Sequence, residues 1–156
     1  MELESEQNLI SMDQTKVAPK GAANAALEPC DFFSRTKQFI HLKDGHSSAP
    51  LSHLWNQGLV AAEAFVSDEV FRKGFRSAAK LREKKFSKRG FIKLLPDGRS
   101  KPVPSDFTIV FGVMRHPYVA SGKMGLPFFS KVALRAVAER ITLMGFPVEL
   151  HLIEKN

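Results

Sequence analysis

Phe107-Thr108-Ile109-Val110-Phe111-Gly112-Val113-Met114 is an almost unbroken apolar run, and no other stretch constrains the fold as much. A strand buried in the middle of a sheet reads this way, because neither side has to face water. The residues after it narrow the choice further. Arg115–Leu126 has no period and reads as loop. Ser130 is a good N-cap, and Lys131–Met144 carries apolar residues at helical spacing through Leu134, Val137, Ala138, Ile141 and Met144. Gly145 closes that helix, and Val148-Glu149-Leu150-His151-Leu152 alternates as a strand. Strand, helix and strand in succession predict a βαβ crossover between parallel neighbours.

Upstream, Phe32-Phe33, the polar link Ser34-Arg35-Thr36-Lys37 and Gln38–Lys43 read as a β-hairpin. Alternation sends Phe39, His41 and Lys43 to one face and Ile40 and Leu42 to the other. Asp44–Ser48 is a loop. Ser48 is placed to cap a helix with Pro50 in its first turn, and Leu51–Val66 carries an apolar face through Leu51, Leu54, Trp55, Ala62 and Phe65. Gly58 inside this helix is unfavourable by propensity, which implies that something packs close there. A second helix restarts at Ser67-Asp68-Glu69, with Val70, Phe71, Phe75, Ala78 and Leu81 on its apolar side. Pro96-Asp97-Gly98 is a strong turn signal, so Gly90–Lys101 is a hairpin candidate. Residues 1–27 read as a weakly ordered leader, with a short strand around Ser11–Val17 as an alternative. The expected fold is one α/β domain over 28–156, a mixed sheet with flanking helices, with α+β as the other possibility.

Composition sets outer limits. The chain has 156 residues, 44% hydrophobic and 25% charged, which is ordinary globular composition and excludes wholesale disorder. No apolar run reaches the ~18 residues that a bilayer requires. The first residues are acidic and polar, unlike a secretory signal, and the single cysteine, Cys30, has no internal partner, so the expected compartment is the cytoplasm. Net charge is +7, which points to a polyanionic partner. The charge is local. Between Arg72 and Lys101 lie twelve basic residues and two acidic ones, a net +10, which leaves −3 for the rest. Arg72, Lys73, Arg76, Lys80, Arg82, Lys84, Lys85, Lys88 and Arg89 are the candidate nucleic-acid contacts, with Phe75, Phe86 and Phe91 interleaved as stacking platforms. No helix-turn-helix, zinc-finger or RNA-recognition pattern is present, so backbone contacts are expected in preference to base reading.

The candidate catalytic group is Asp31, His41 and Lys43. Asp31 heads the first hairpin strand, and His41 and Lys43 leave the same face of the second. In this reading Asp31 and His41 hold a divalent cation, Mg²⁺ or Mn²⁺, while Lys43 stabilises charge developing on a phosphate. Glu28 offers a further carboxylate. Ser48, His53 and Gln57 form a second tier, and His53 and Gln57, four apart, share a helical face. Each has a plainer reading: Asp31 caps the hairpin, His41 is a core histidine, Lys43 is a solvated charge, and Gln57 is an ordinary polar-face residue.

Pro29-Cys30-Asp31, then His41-Leu42-Lys43 on the neighbouring strand and a helix after it, resembles the core of the restriction-endonuclease-like superfamily, the PD-(D/E)xK nucleases. There an Asp precedes an acidic-x-Lys triplet. His41 departs from that pattern, and imidazole favours softer metals such as Mn²⁺ or Zn²⁺ over Mg²⁺. A broader resemblance rests on Glu28-Pro29-Cys30-Asp31, Phe39–Lys43, Ser47-Ser48, Leu51-Ser52-His53-Leu54, Gln57-Gly58, Phe71-Arg72 and Leu126–Val132. These look like blocks of a sporadically distributed prokaryotic family of unknown function, found on mobile and defence-associated loci. The resemblance runs from about Met12 onward and covers the C-terminal part of longer members. It implies a role in mobile-element or phage conflict, as a nuclease-like module on DNA, less favourably RNA, alone, as a homo-oligomer, or with a larger partner protein. The alternatives from the residues themselves are a non-catalytic nucleic-acid-binding module and a protein-assembly module whose basic face meets an acidic partner.

Overall fold

The structure, a computed structural model, describes residues 8–21, 26–45, 48–115 and 126–154. Strands β1 (Leu9–Ser11), β2 (Phe32–Ser34) and β3 (Gln38–Asp44) are followed by helices α1 (Ser48–Ser67) and α2 (Glu69–Phe86). Then come β4 (Thr108–Arg115), α3 (Phe128–Leu143) and β5 (Val148–Glu154). The strands form one sheet in the order β1-β2-β3-β4-β5, antiparallel through β3 and parallel from β3 to β5. This is a single mixed α/β domain. The apolar run at 107–114 supplies β4, paired on both sides, and α3 links it to the parallel β5. No helix among the described residues is long and apolar enough to cross a membrane.

The hairpin forms as its pattern predicts. Lys37 turns the chain with φ 60, and Ser34 Oγ accepts from the Gln38 amide. Phe39, Ile109, Phe111 and Val113 face inward, where Phe39 stacks on Phe107 at 5.3 Å and meets Phe65 edge-on at 5.0 Å. Gly58 has the tight neighbour that its position implied. A Cβ there would lie 2.4 Å from the Phe111 ring, so α1 sits against β4 only because that side chain is missing. Asp68 caps α2 by accepting from Phe71 N, an interaction worth about 1 kcal/mol. Gly145, at φ +103, ends the C-terminal helix turn.

Three expectations are corrected. Ser130 does not cap α3; Pro127 holds that position, and Ser130 is buried inside the first turn. Gly90–Lys101 is not a hairpin but a 3₁₀ turn (Ile92–Leu94) and irregular chain. Glu83 Oε1 accepts from the amides of Phe91 and Ile92, and Phe91 and Leu95 sink into the core, so side-chain anchoring takes the place of a strand ladder. The described part of the leader is a strap, not a loose end. β1 pairs with β2, Ile10, Met12 and Val17 are buried, and Val17 bridges Leu27. The strap runs along α2 from its end to its start: Lys88 Nζ donates to Leu9 O, Arg82 to Asp13 O, and Asp68 accepts from the Lys20 amide. Residues 1–7, 22–25, 46–47, 116–125 and 155–156, and with them part of the expected loops at 44–48 and 115–126, lie outside the described residues.

Candidate functional site

Three carboxylates converge where the strap meets the hairpin. Asp31 stands just before β2. Its carbonyl accepts from Met12 N at 2.8 Å, its own amide donates to Ile40 O, and its Oδ2 accepts from Leu42 N at 2.6 Å. The strap then turns at Gln14, φ 62, whose amide donates to Glu28 Oε2 at 2.9 Å. This turn brings Asp13 to Glu28 and Asp31, with ligand oxygens of all three within 4.8 Å of one another. Among the described residues these are the side chains grouped closely enough to share one cation.

The electrostatics fit a site that wants positive charge. Burial pushes the Glu28 carboxyl up to about 7, helped by its hydrogen bond to Asp31 and by the charges of Asp31 and Asp13. Near neutrality the Glu28 carboxyl therefore keeps its proton part of the time, and a cation would displace it. Three carboxylate oxygens suit a hard, oxygen-seeking ion. Buried Cys30 is no competitor as a ligand, since burial and then the neighbouring charges of Asp31 and Glu28 raise its thiol well above the usual range.

Glu28 also lines a cleft of about 440 Å³. One wall is Lys16, Ala26, Leu27 and Glu28; the other is a stripe of α1, His53, Asn56, Gln57 and Val60. The i, i+3, i+4, i+7 spacing aligns that stripe along one helical face. His53 and Gln57 from the second tier thus join Glu28, and both are exposed. Ser48 opens α1, and its side chain lies outside the described residues.

His41 and Lys43 are placed differently. His41 is 3% exposed, 5.8 Å from the Phe111 ring, and stands outside the carboxylate group. Burial drives its pKa down to about 4 against the opposing pull of Asp31, so at neutral pH the ring is uncharged, and its Nε2 has no hydrogen-bond partner among the described residues. Lys43 lies on the same face of β3, near its end, and is exposed.

The basic segment divides. Arg72 is corrected from nucleic-acid contact to core residue. It is 5% exposed, and its guanidinium donates to Phe65 O, Val66 O and Gly98 O, capping the end of α1 and tying the 96–98 turn to α2. Arg82 and Lys88 donate to the strap. Phe75 and Phe91 are buried and offer no stacking platform, whereas Phe86 is 40% exposed beneath Lys85. Lys73, Arg76 and Lys80 line a shallow groove with Ser77, Ile92 and Asp97, and Lys73 also pairs with Glu69 at 2.8 Å. Lys84, Lys85 and Arg89 are exposed. The strap lies against Gly74 of α2, whereas the groove takes Lys73, Arg76, Ser77 and Lys80, roughly 60–160° from Gly74 around the helix. The strap and the basic row therefore occupy different faces of α2.

Asp13, Lys16 and Asn56 do not stand out in the sequence. Asp13 and Lys16 lie in what reads as leader, and only the strap brings them in. Asn56 carries a signal, the helical spacing it shares with His53 and Val60.

A family model described as "Family of unknown function (DUF6119)" matches residues 2–154, and the chain belongs to that family. No curated protein and no solved structure matches the chain.

Proposed function

We propose that this family member is a divalent-cation-dependent phosphodiesterase acting on nucleic acid. The observation that carries the reading is the convergence of Asp13, Glu28 and Asp31 beside a polar cleft. These three residues would hold the cation, in place of the Asp31–His41 pair expected from the sequence. When bound, Mg²⁺ or Mn²⁺ supplies charge neutralisation at a phosphate and a more acidic water. The chain's own contribution is orientation. The Leu42 amide fixes one Asp31 oxygen, the Gln14 amide fixes one Glu28 oxygen, and Lys43 offers an exposed positive charge near the end of β3. The exposed lysines of α2, Lys73, Lys80, Lys84 and Lys85, add a sequence-independent hold on the phosphate backbone. The resemblance to proteins of mobile and defence loci supports a setting in phage or mobile-element conflict, with DNA as the polymer.

The test is to incubate the purified chain with single-stranded, linear and supercoiled DNA in Mg²⁺ or Mn²⁺, alongside Asp31→Asn and Glu28→Gln. Cation-dependent cleavage lost in both variants is the expected result. Cleavage that survives both overturns the assignment.

A second reading, a non-catalytic nucleic-acid-binding module, is favoured by one observation: Asp31 Oδ2 already closes the β2–β3 ladder through Leu42 N. It predicts salt-sensitive DNA binding, no cleavage in any metal, and a destabilised Asp31→Ala variant.

A further inference from the structure

We infer that the cleft between residues 26–28 and α1 seats one unpaired nucleotide, which makes single-stranded nucleic acid the polymer this protein takes. The inference rests on the proposed phosphodiesterase reading for the role of the neighbouring carboxylates, but the cleft's own chemistry carries it. At about 440 Å³, the cleft lies within the ~300–1,000 Å³ of small-molecule sites and is too small to admit a stacked duplex. Its lining is mixed in the way a nucleotide requires. Leu27 and Val60 are apolar and suit the face of a base. Asn56 and Gln57 carry amide donors and acceptors that match a base edge, and neither side chain has a partner among the described residues. Lys16 supplies a cation for the attached phosphate, and Glu28 joins the cleft to the carboxylate group. Val60 is 46% exposed although it lies on a helix that buries Leu54, Trp55, Leu59 and Ala62. An apolar side chain kept open beside amides with no partner among the described residues is a surface that a base would cover. Bases paired within a duplex cannot enter such a pocket, whereas an unpaired one can be splayed into it.

The test uses the full chain in EDTA, so that nothing is cleaved. The probes are a fluorescent twelve-nucleotide single strand and the duplex of the same sequence, read by anisotropy. The wild type is expected to bind the single strand about ten-fold more tightly than the duplex, the scale of one base packed on a protein surface. Asn56→Ala with Gln57→Ala, and separately Val60→Glu, should abolish that preference and leave duplex binding unchanged. Asn56, Gln57 and Val60 are exposed, so circular dichroism should report native folding in both variants. Equal wild-type affinity for the two probes overturns the inference, as does a preference untouched by either variant. Mn²⁺ binding, followed by electron paramagnetic resonance, separates the two proposals. Cleft variants that bind Mn²⁺ normally but lose the single strand support a distinct base-binding cleft. A wild type that binds no Mn²⁺ overturns the phosphodiesterase reading, and the strand preference then decides the cleft by itself.

Discussion

Glu28 and His41 are perturbed in ways that give stability opposite pH dependences. Glu28 is raised from 4.5 to about 7, so the folded chain holds its proton more tightly than the unfolded chain. Its contribution is complete below about pH 4.5 and is lost as pH rises through 7. In chelator, the melting temperature should therefore carry a component that falls between pH 5 and 8. Glu28→Gln should remove that component, and Mn²⁺ should restore several degrees at pH 8 in the wild type only; a pH series of thermal melts reads both. His41 is lowered from 6.5 to about 4, so its contribution is complete above 6.5 and is lost as pH falls through 4. His41→Leu should move the acid-unfolding midpoint to lower pH and leave Mn²⁺ binding at pH 7 unchanged. Loss of Mn²⁺ binding in that variant would return His41 to the metal site. Asp31 and Glu28 are legible as candidates because a carboxylate before a strand and another three residues earlier stand out in sequence. The burial of His41 is only half legible. Alternation puts it on the face of Phe39, but the Phe111 ring that encloses it comes from another strand.

Among the elements, α1 shows how a local penalty marks a tertiary contact. Gly58 costs its helix about 1 kcal/mol relative to alanine, yet a Cβ there would meet the Phe111 ring at 2.4 Å. Gly58→Ala should therefore lose about 1–3 kcal/mol in a urea titration despite its better propensity, because overpacking outweighs helix formation. A stabilised variant would mean that α1 can shift away from β4. The strands β3, β4 and β5 and all three helices are readable because period and continuous apolarity belong to short stretches of chain. The segment 90–101 is not. Its turn signal at Pro96-Asp97-Gly98 is real, and Gly98 adopts φ +98, but Arg72 and Glu83 hold the chain onto α2 and leave no partner strand.

Taken whole, the +10 of residues 72–101 is not one surface: Arg72 is buried, Arg82 and Lys88 hold the strap, and Lys73, Arg76 and Lys80 line a groove on another face of α2. Replacing Lys73, Arg76 and Lys80 together by alanine should reduce the salt dependence of nucleic-acid affinity by about two to three in log–log slope. Arg72→Ala should instead leave the slope unchanged and cost about 3 kcal/mol in stability, because three buried carbonyls lose a charged donor. Affinity measured from about 50 to 300 mM salt, with urea melts of the same variants, checks the contrast. The sequence by itself determined the strand–helix–strand core, the hairpin that carries Asp31, and the presence of a concentrated positive charge. Each is written in residues close together along the chain. Only the tertiary structure decided that Asp13 completes a carboxylate group, that Arg72 is a core residue, and that the first strand straps α2. Those outcomes rest on bonds such as Arg82 to Asp13 and Lys88 to Leu9, between residues 69 and 79 positions apart. Contacts at that range form only once the core has brought the two segments together, and no periodicity along the chain encodes them.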